Sequence, residues 1–368
     1  MTRFARRVTG IEVSGIRKWF EGAGPGSVNL GLGQPDLDTP AHIKAAACRA
    51  LDEGRTGYTP NAGIPELRDA IVEKSRREND LEYSPDQVIV TAGASEALLI
   101  AMQALVDDGD RVLLADPGFV SYAALATIAG GRPEGLALDD RLRIDVEAAK
   151  ARIDGAKVLV LNSPANPTGA VEPEDSVRAL VEYADDAGAT VISDEVYEHF
   201  VYDGVRAVSA ARFGENVVTI NATSKTYAMT GWRLGWLAGP DEVVGQAIKV
   251  HQYGLACATS IAQYAAVAAL EGPQDCVASM RDEYNSRRDF LCDGLDALGI
   301  HVPRPEGAFY IFAPMADDLV RRIIAGGVTI VPGEAFGPGG AGYARIAYSA
   351  SRDDLVTALT RMETIIDD

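Results

Sequence analysis

Lysine, cysteine and histidine are all scarce in this chain. Of its 34 basic residues only seven are lysine, and cysteine and histidine number four each in 368 residues. Cys48, Cys257, Cys276 and Cys292 show no paired Cys-x-x-Cys spacing, so free thiols in a reducing cytoplasm are expected rather than a disulfide framework. His42, His199, His251 and His301 are equally scattered, and no metal site is expected from them. No apolar run is long enough to span a bilayer. The basic start MTRFARRVTG leads into no apolar stretch of signal-peptide type, so secretion is not expected. Positive charge is also lacking. The net charge is −19, which argues against a nucleic-acid partner, because phosphate backbones need a basic face. An acidic, lysine-poor surface suits work in high salt. A GC-rich genome explains the same bias, and an activity optimum at low potassium chloride would refute the salt reading.

What is present is a globular composition, 47% hydrophobic and 24% charged, and a length sufficient for two domains. No internal repeat or low-complexity block is evident. The segment 22–28 (GAGPGSV) reads as a loop closing an N-terminal arm. Strand candidates follow at 88–92 (VIVTA), 111–116 (RVLLAD), 157–162 (KVLVLN), 190–195 (TVISDE), 217–221 (VVTIN) and 233–239 (RLGWLAG). Amphipathic helices such as 96–108 lie between them. This alternation predicts a largely parallel α/β sheet covered on both faces. A long helix is expected over 274–298, then strands at 308–312, 328–333 and 344–349 and a closing helix from 353. That tail reads as a small α+β domain completed by the N-terminal arm. The expected division is 1–40, arm and part of the small domain; 41–272, large domain; 273–368, small domain.

The most informative run is TSKTYAMTGWRLGW, beginning at Thr223. Lys225 lies just past an apolar strand, where it can point into a cleft. A desolvated lysine loses its proton readily and attacks carbonyls. Eight residues on, Arg233 offers a fixed cation suited to a phosphate. A Schiff-base lysine near such an arginine suggests pyridoxal phosphate. A lone lysine is ordinarily a solvated surface charge, but Gly231, Trp232 and Gly235 are poor choices for an exposed helix.

In open α/β sheets, ligands collect beyond the carboxyl ends of the strands, and the unusual polar residues fall there. TAGASEAL (91–98) places Ala94 and Ser95 at a helix start open to a phosphate; a plain capped helix looks the same. In DPGFVSY (116–122), Phe119 can lie flat on a planar ring, although phenylalanine is more often core. NSPANPTGA (162–170) presents Asn166 between two proline turns, as a donor to a phenolate-type oxygen or as part of an Asx turn. VISDEVYEHF (191–200) sets Asp194 after an apolar run, able to pair with a protonated pyridine nitrogen or to cap a helix, with Tyr197 three residues on. ARIAYS (344–349) puts Arg345 inside an apolar strand, where it needs a substrate carboxylate or an internal ion pair.

Together, and in this order, these residues resemble the fold-type I, class I/II pyridoxal-phosphate-dependent aminotransferases of the aspartate aminotransferase superfamily. SGIRKWF at Ser14, GLGQPDLDTP at Gly31, PEGAFYIF at Pro305 and VPGEAFG at Val331 extend the resemblance over nearly the whole chain. It is strongest to the archaeal aromatic and aspartate-type enzymes. The resemblance implies a mostly parallel seven-stranded sheet in the large domain and a ping-pong transfer of an amino group to a 2-oxo acid such as 2-oxoglutarate. It implies that Lys225 bonds covalently to pyridoxal 5′-phosphate and that Asp194 pairs with the pyridine nitrogen. Tyr197 and Asn166 then donate to the ring oxygen and Phe119 stacks on the ring. Arg233, Ser224 and the amides of Ala94 and Ser95 hold the phosphate. Arg345, with Asn166 and the backbone of Gly33, takes the substrate carboxylate. Tyr58 reaches the phosphate of a neighbouring subunit, which implies a homodimer.

Two departures stand out. Ala222 occupies a position, three before the lysine, where several relatives have serine. The segment 254–264 (GLACATSIAQY), from which a partner-side contact would come, has no arginine or lysine, so recognition of a second carboxylate is unexplained; Arg17 is a substitute candidate or a surface charge. With Phe119 and Ile16, this tilts the donor toward aromatic or aspartate-like amino acids. The rival readings are a β-lyase, decarboxylase or cyclopropane-forming synthase on the same scaffold, a non-catalytic cofactor-binding regulator, and a nucleotide-binding oxidoreductase. The regulator lacks spare length for a DNA-binding domain. The oxidoreductase lacks GxGxxG spacing, since GLGQPD opens onto a proline.

Overall fold

A computed structural model describes residues 3–13, 15, 24 and 26–367; the expectations placed on Ile16 and Arg17 lie outside them. After a two-residue strand β1 (Val28–Asn29) come the strands of the main sheet: β2 (Val88–Thr91), β3 (Arg111–Ala115), β4 (Arg132–Leu136), β5 (Val158–Asn162), β6 (Thr190–Asp194), β7 (Val217–Ala222) and β8 (Gly235–Ala238). Their spatial order is β2-β8-β7-β6-β5-β3-β4. β8 runs antiparallel to both neighbours and the other six share one direction. The sheet is thus the mostly parallel, seven-stranded α/β sheet expected.

Helices cover both faces: α1 (Ala41–Asp52), α2 (Pro65–Asn79), α3 (Ala94–Leu105), α4 (Ser121–Ala129), α5 (Val146–Ile153), α6 (Glu174–Asp186), α7 (Asp241–Gly254) and α8 (Ser260–Glu271). Alternate strand residues choose the face. Val112, Val158 and Ile192 pack with α3, α4 and α7, whereas Leu113, Leu159 and Val191 pack with α5 and α6. Burial on both sides is why these strands read as unbroken apolar runs.

Strand β4 was not expected, because Arg-Pro-Glu-Gly-Leu carries little strand signal. It is an edge strand, where Pro133 need not donate to a second neighbour. The expected strand at 233–239 begins two residues later, since Arg233 has left-handed backbone, φ 56°.

The C-terminal part holds β9 (Tyr310–Pro314), β10 (Val328–Thr329), β11 (Val331–Pro332) and β12 (Tyr343–Ala347), with helices α9 (Asp275–Ala297), α10 (Asp317–Ala325) and α11 (Arg352–Asp367). The run 328–333, expected as one strand, serves two sheets. β10 pairs in parallel with β1, and β11 pairs antiparallel with β12, which also pairs with β9. The N-terminal arm therefore joins the C-terminal elements through β1. Along α9 the buried side chains Val277, Met280, Tyr284, Arg288, Leu291 and Leu295 recur at three- and four-residue steps, the stripe of a helix packed on one face. No helix among the described residues is long and apolar enough to cross a membrane.

Candidate active site

The carboxyl ends of β5, β6 and β7 and the turns after β2 and β3 open into one cavity of about 620 Å³, closed on the far side by β9 and β12. Lys225 stands on the helical turn Thr223–Thr226 that follows β7. Its Nζ donates to the Gly33 carbonyl at 2.6 Å. Burial draws its pKa down to about 8, and the cations Arg345 and Arg233 push the same way against the pull of Asp194.

Asp194 ends β6 and is 3% exposed. Burial pushes its carboxyl up to about 6, although the Tyr122 hydroxyl, the Val196 amide and the Lys225 charge all favour the ionised form. The Tyr122 hydroxyl donates to Oδ2 at 2.8 Å. Asn162, at the end of β5, donates to the Asp194 carbonyl at 2.9 Å and accepts the Asn166 amide at 2.9 Å, so adjacent strand ends are tied together. The Tyr197 hydroxyl lies 2.8 Å from that of Tyr310. Burial is the main cause holding both phenols above their ordinary range.

Arg345, on β12, is 2% exposed. Nη1 donates to Asn166 Oδ1 at 2.8 Å and Nη2 to the Gly31 carbonyl at 2.6 Å, while Nε is buried with no partner. Its guanidinium lies 4.5 Å from the Tyr310 ring centre and 4.8 Å from that of Phe336. Burial pulls its pKa down. A buried guanidinium with only neutral oxygen partners is poorly compensated until an anion arrives.

The other end of the cavity is more open. Gly93, φ 82°, precedes α3, and the first-turn residues Ala94 and Ser95 line the cavity. Arg233 is exposed and lies along this turn, donating to the Thr230 carbonyl at 3.1 Å and the Ala92 carbonyl at 3.0 Å. The φ of 82° is what favours glycine at residue 93, and a Cβ there would stand 2.7 Å from Arg233 Nη2 and displace that guanidinium. Ser224 and Phe119 complete the wall, and Phe119 packs edge-on against Tyr122 with ring centres 5.4 Å apart. A helix start, a cation and a hydroxyl together make a cup suited to an anion. Between it and the second anion position at Arg345 stand a carboxylate and a desolvated amine.

Residues 25–362 match the family model "Aminotransferase class I and II". The chain is 43% identical over 373 residues to a probable aspartate aminotransferase of Methanocaldococcus jannaschii, covering 98% of this chain and 99% of that one. It is 39% identical over 379 residues to aromatic-amino-acid aminotransferase 2 of Thermococcus litoralis, covering 98% and 97%. Among solved structures, the Thermus thermophilus aspartate aminotransferase with maleate superposes with a TM-score of 0.94 at 38% identity, covering 99% of this chain and all of that one. The chain belongs to the class I and II aminotransferases. Enzymes of this family depend on pyridoxal phosphate.

In this aminotransferase the cavity brings together Gly33, Ala94, Ser95, Phe119, Asn166, Asp194, Tyr197, Ser224, Lys225, Arg233 and Arg345. Tyr58 is not among them. It is 93% exposed, beside residues 257–261 in a separate surface depression. Sequence reasoning gave no role to Tyr122, Tyr310 or Asn162, all of which line the cavity. Their only signal was position, within or beside motifs already singled out; a tyrosine inside a helix or strand otherwise reads as core. His199 meets two carboxylates: Glu78, Glu198 and His199 place ligand-type atoms within 4.8 Å of one another. The buried Lys74 ammonium already sits among them, paired with Glu198 and 3.6 Å from Glu78.

Proposed function

We propose that this aminotransferase binds pyridoxal phosphate through Lys225 and moves the amino group of an aspartate-type or aromatic α-amino acid to a 2-oxo acid such as 2-oxoglutarate. The observation that carries the reading is Lys225 itself, an amine with its pKa drawn down to about 8 between a buried carboxylate and a buried guanidinium. The cavity volume lies within the range of cofactor sites, and its donors suit the group. The anion cup of Ala94, Ser95, Ser224 and Arg233 would hold the phosphate, and Phe119 would cover the ring. Bound there, the cofactor supplies an electron sink for the charge left when an amino acid loses its α-proton.

This chain's side chains do the rest. Asp194 would hold a proton on the pyridine nitrogen, and the Tyr122 hydroxyl fixes that carboxylate by donating to Oδ2. Tyr197 and the free amide hydrogens of Asn166 donate to the ring oxygen. Arg345 receives the α-carboxylate, with the Gly33 backbone beside it. Lys225, once free, has a pKa near enough to neutrality to take the α-proton and give it back. The donor class follows the names of the relatives. Among the described residues lining the cavity the cations are Lys225, Arg233 and Arg345, so a second substrate carboxylate finds no further cation among those residues.

The same reading makes the enzyme a cytoplasmic homodimer, divided into 1–40, 41–272 and 273–368. Tyr58 and Tyr253, 93% and 90% exposed, are large rings that a second copy would cover.

The test is an absorbance titration of the purified protein with pyridoxal phosphate, followed by single amino acids. A near-visible band that shifts with one donor is expected. Lys225→Ala should lose the band and several orders of magnitude of turnover, since base and covalent anchor vanish together. Normal turnover in that variant overturns the reading.

A further inference from the structure

His251 is the one histidine with no exposed surface. It lies on α7, between the start of α3 and the loop before α2. Both ring nitrogens face oxygens: Nδ1 is 2.8 Å from Glu96 Oε1 and Nε2 is 2.9 Å from the Asn61 carbonyl. A carbonyl can only accept, so Nε2 carries a proton. A second proton then lies between Nδ1 and the Glu96 carboxylate, whichever atom holds it.

Glu96 is the third residue of α3. Its other oxygen, Oε2, accepts the Ala92 amide at 2.5 Å. The Ala92 carbonyl in turn accepts Arg233 Nη2 at 3.0 Å. A chain of hydrogen bonds therefore runs from His251 through Glu96 and residue 92 to the cation of the anion cup. Residue 92 is also the hinge from which the Ala94 and Ser95 amides are presented.

Glu96 has an electrostatic side as well. A carboxylate in the first turn of a helix competes with an anion for the same helix end. The proton that Glu96 shares with His251 offsets that charge.

We propose that His251 is a positioning residue for the phosphate: it holds and neutralises Glu96, and Glu96 sets the 91–95 turn on which Arg233 and the α3 amides depend. The inference rests on the anion-cup reading given above. The ordinary alternative is a buried histidine that ties α7 to α3 and affects stability alone.

Two aldehydes separate these. The cofactor-free protein is titrated with pyridoxal 5′-phosphate and with pyridoxal, which lacks the phosphate, and the imine absorbance is followed; thermal melting is recorded alongside. His251→Leu removes both donors and should weaken pyridoxal phosphate by about tenfold or more, the scale of one lost charge-assisted hydrogen bond, while pyridoxal affinity stays put. His251→Asn, whose amide can stand where Nδ1 stands and donate to Glu96 without offsetting its charge, should recover part of the loss. If the leucine variant does not fold, His251→Gln takes its place, with its amide one bond further out. An equal fall for both aldehydes, or no fall for either, overturns the positioning role. A parent protein that takes both aldehydes equally well overturns the anion-cup reading, and this inference with it.

Discussion

Among the described residues the cavity is lined by two arginines, and they are held in opposite ways. Arg345 is buried, pressed between Tyr310 and Phe336, with Nε unpartnered and only neutral oxygens on its other nitrogens. Arg233 is exposed, in a left-handed backbone conformation, and bonded only to carbonyls of its own turn and of residue 92. Arg345 is kept in place by packing and gains much from an anion, because desolvation makes each charged contact stronger. Arg233 keeps its water, so its hold on an anion depends on how well the turn aims it. The same side chain is thus held by burial and packing at one end of the cavity and by backbone geometry at the other.

The sharpest way to break this contrast is Arg345→Leu. Truncating one partner of a buried charged pair costs about 2–5 kcal/mol, so kcat/KM for amino acids should fall by about two to three orders of magnitude. Replacing a poorly compensated buried charge with an apolar side chain is often neutral or stabilising, so the melting temperature of the cofactor-free protein should hold or rise. Steady-state kinetics and calorimetry check both halves. A variant that keeps its KM, or that melts far below the parent, would show that Arg345 serves the fold rather than the substrate.

Arg233→Ala should act elsewhere and less. Loss of one charge-assisted contact, about 1.5–3 kcal/mol, weakens pyridoxal phosphate by about tenfold to a hundredfold. Pyridoxal affinity should not move. Arg233→Gly relieves the left-handed backbone as well, so it should melt above Arg233→Ala by the few degrees that about 1 kcal/mol represents. Should either variant lose both aldehydes equally, Arg233 would be a structural residue and the contrast between the two ends would collapse.

The contrast also governs what could be read from the residues alone. β2, β3, β5, β6 and β7 are apolar runs because they are buried on both faces, and the polar residues at their ends stand out against that background. β4 is an edge strand, and an edge tolerates Pro133 and Gly135, so nothing marked it. Run 328–333 looked continuous because Val328, Ile330 and Val331 are all buried; only the pairing partners reveal a change of sheet. At the buried end, Tyr122 and Tyr310 are indistinguishable in sequence from core tyrosines, since what sets them apart is the Asp194 and Tyr197 oxygens they meet. At the open end, Ala94, Ser95 and Arg233 were legible through small residues and a glycine. Glu96 and His251 were not, because 155 positions separate them and neither belongs to a local pattern.

The smallest effect expected is at Tyr122, and it shows in pH dependence. Asp194 has its pKa raised by burial to about 6, well above the unfolded value. Between roughly pH 4 and pH 6 the folded protein therefore binds more protons at this group than the unfolded chain does. By linkage, this group's contribution to stability falls as pH rises through that window. Tyr122 opposes the shift, since its hydroxyl bonds the ionised form. Tyr122→Phe removes that bond, so Asp194 should titrate at a higher pH and the decline should continue past pH 6. The added loss at pH 7 should be about 1.5 kcal/mol, the low end of the worth of a hydrogen bond to a charged group. Lys225 contributes the opposite slope, but only above its pKa of about 8, where the unfolded chain binds the extra proton. Glu172 and Glu195, both pushed up to about 7 by burial, add the same slope to parent and variant, so the difference between their urea-unfolding curves from pH 4 to pH 7.5, measured without cofactor, isolates Asp194. Divergence of the two curves above pH 6 would place Asp194 as the titrating group at the buried end, and parallel curves would mean that its charge is set by something other than Tyr122.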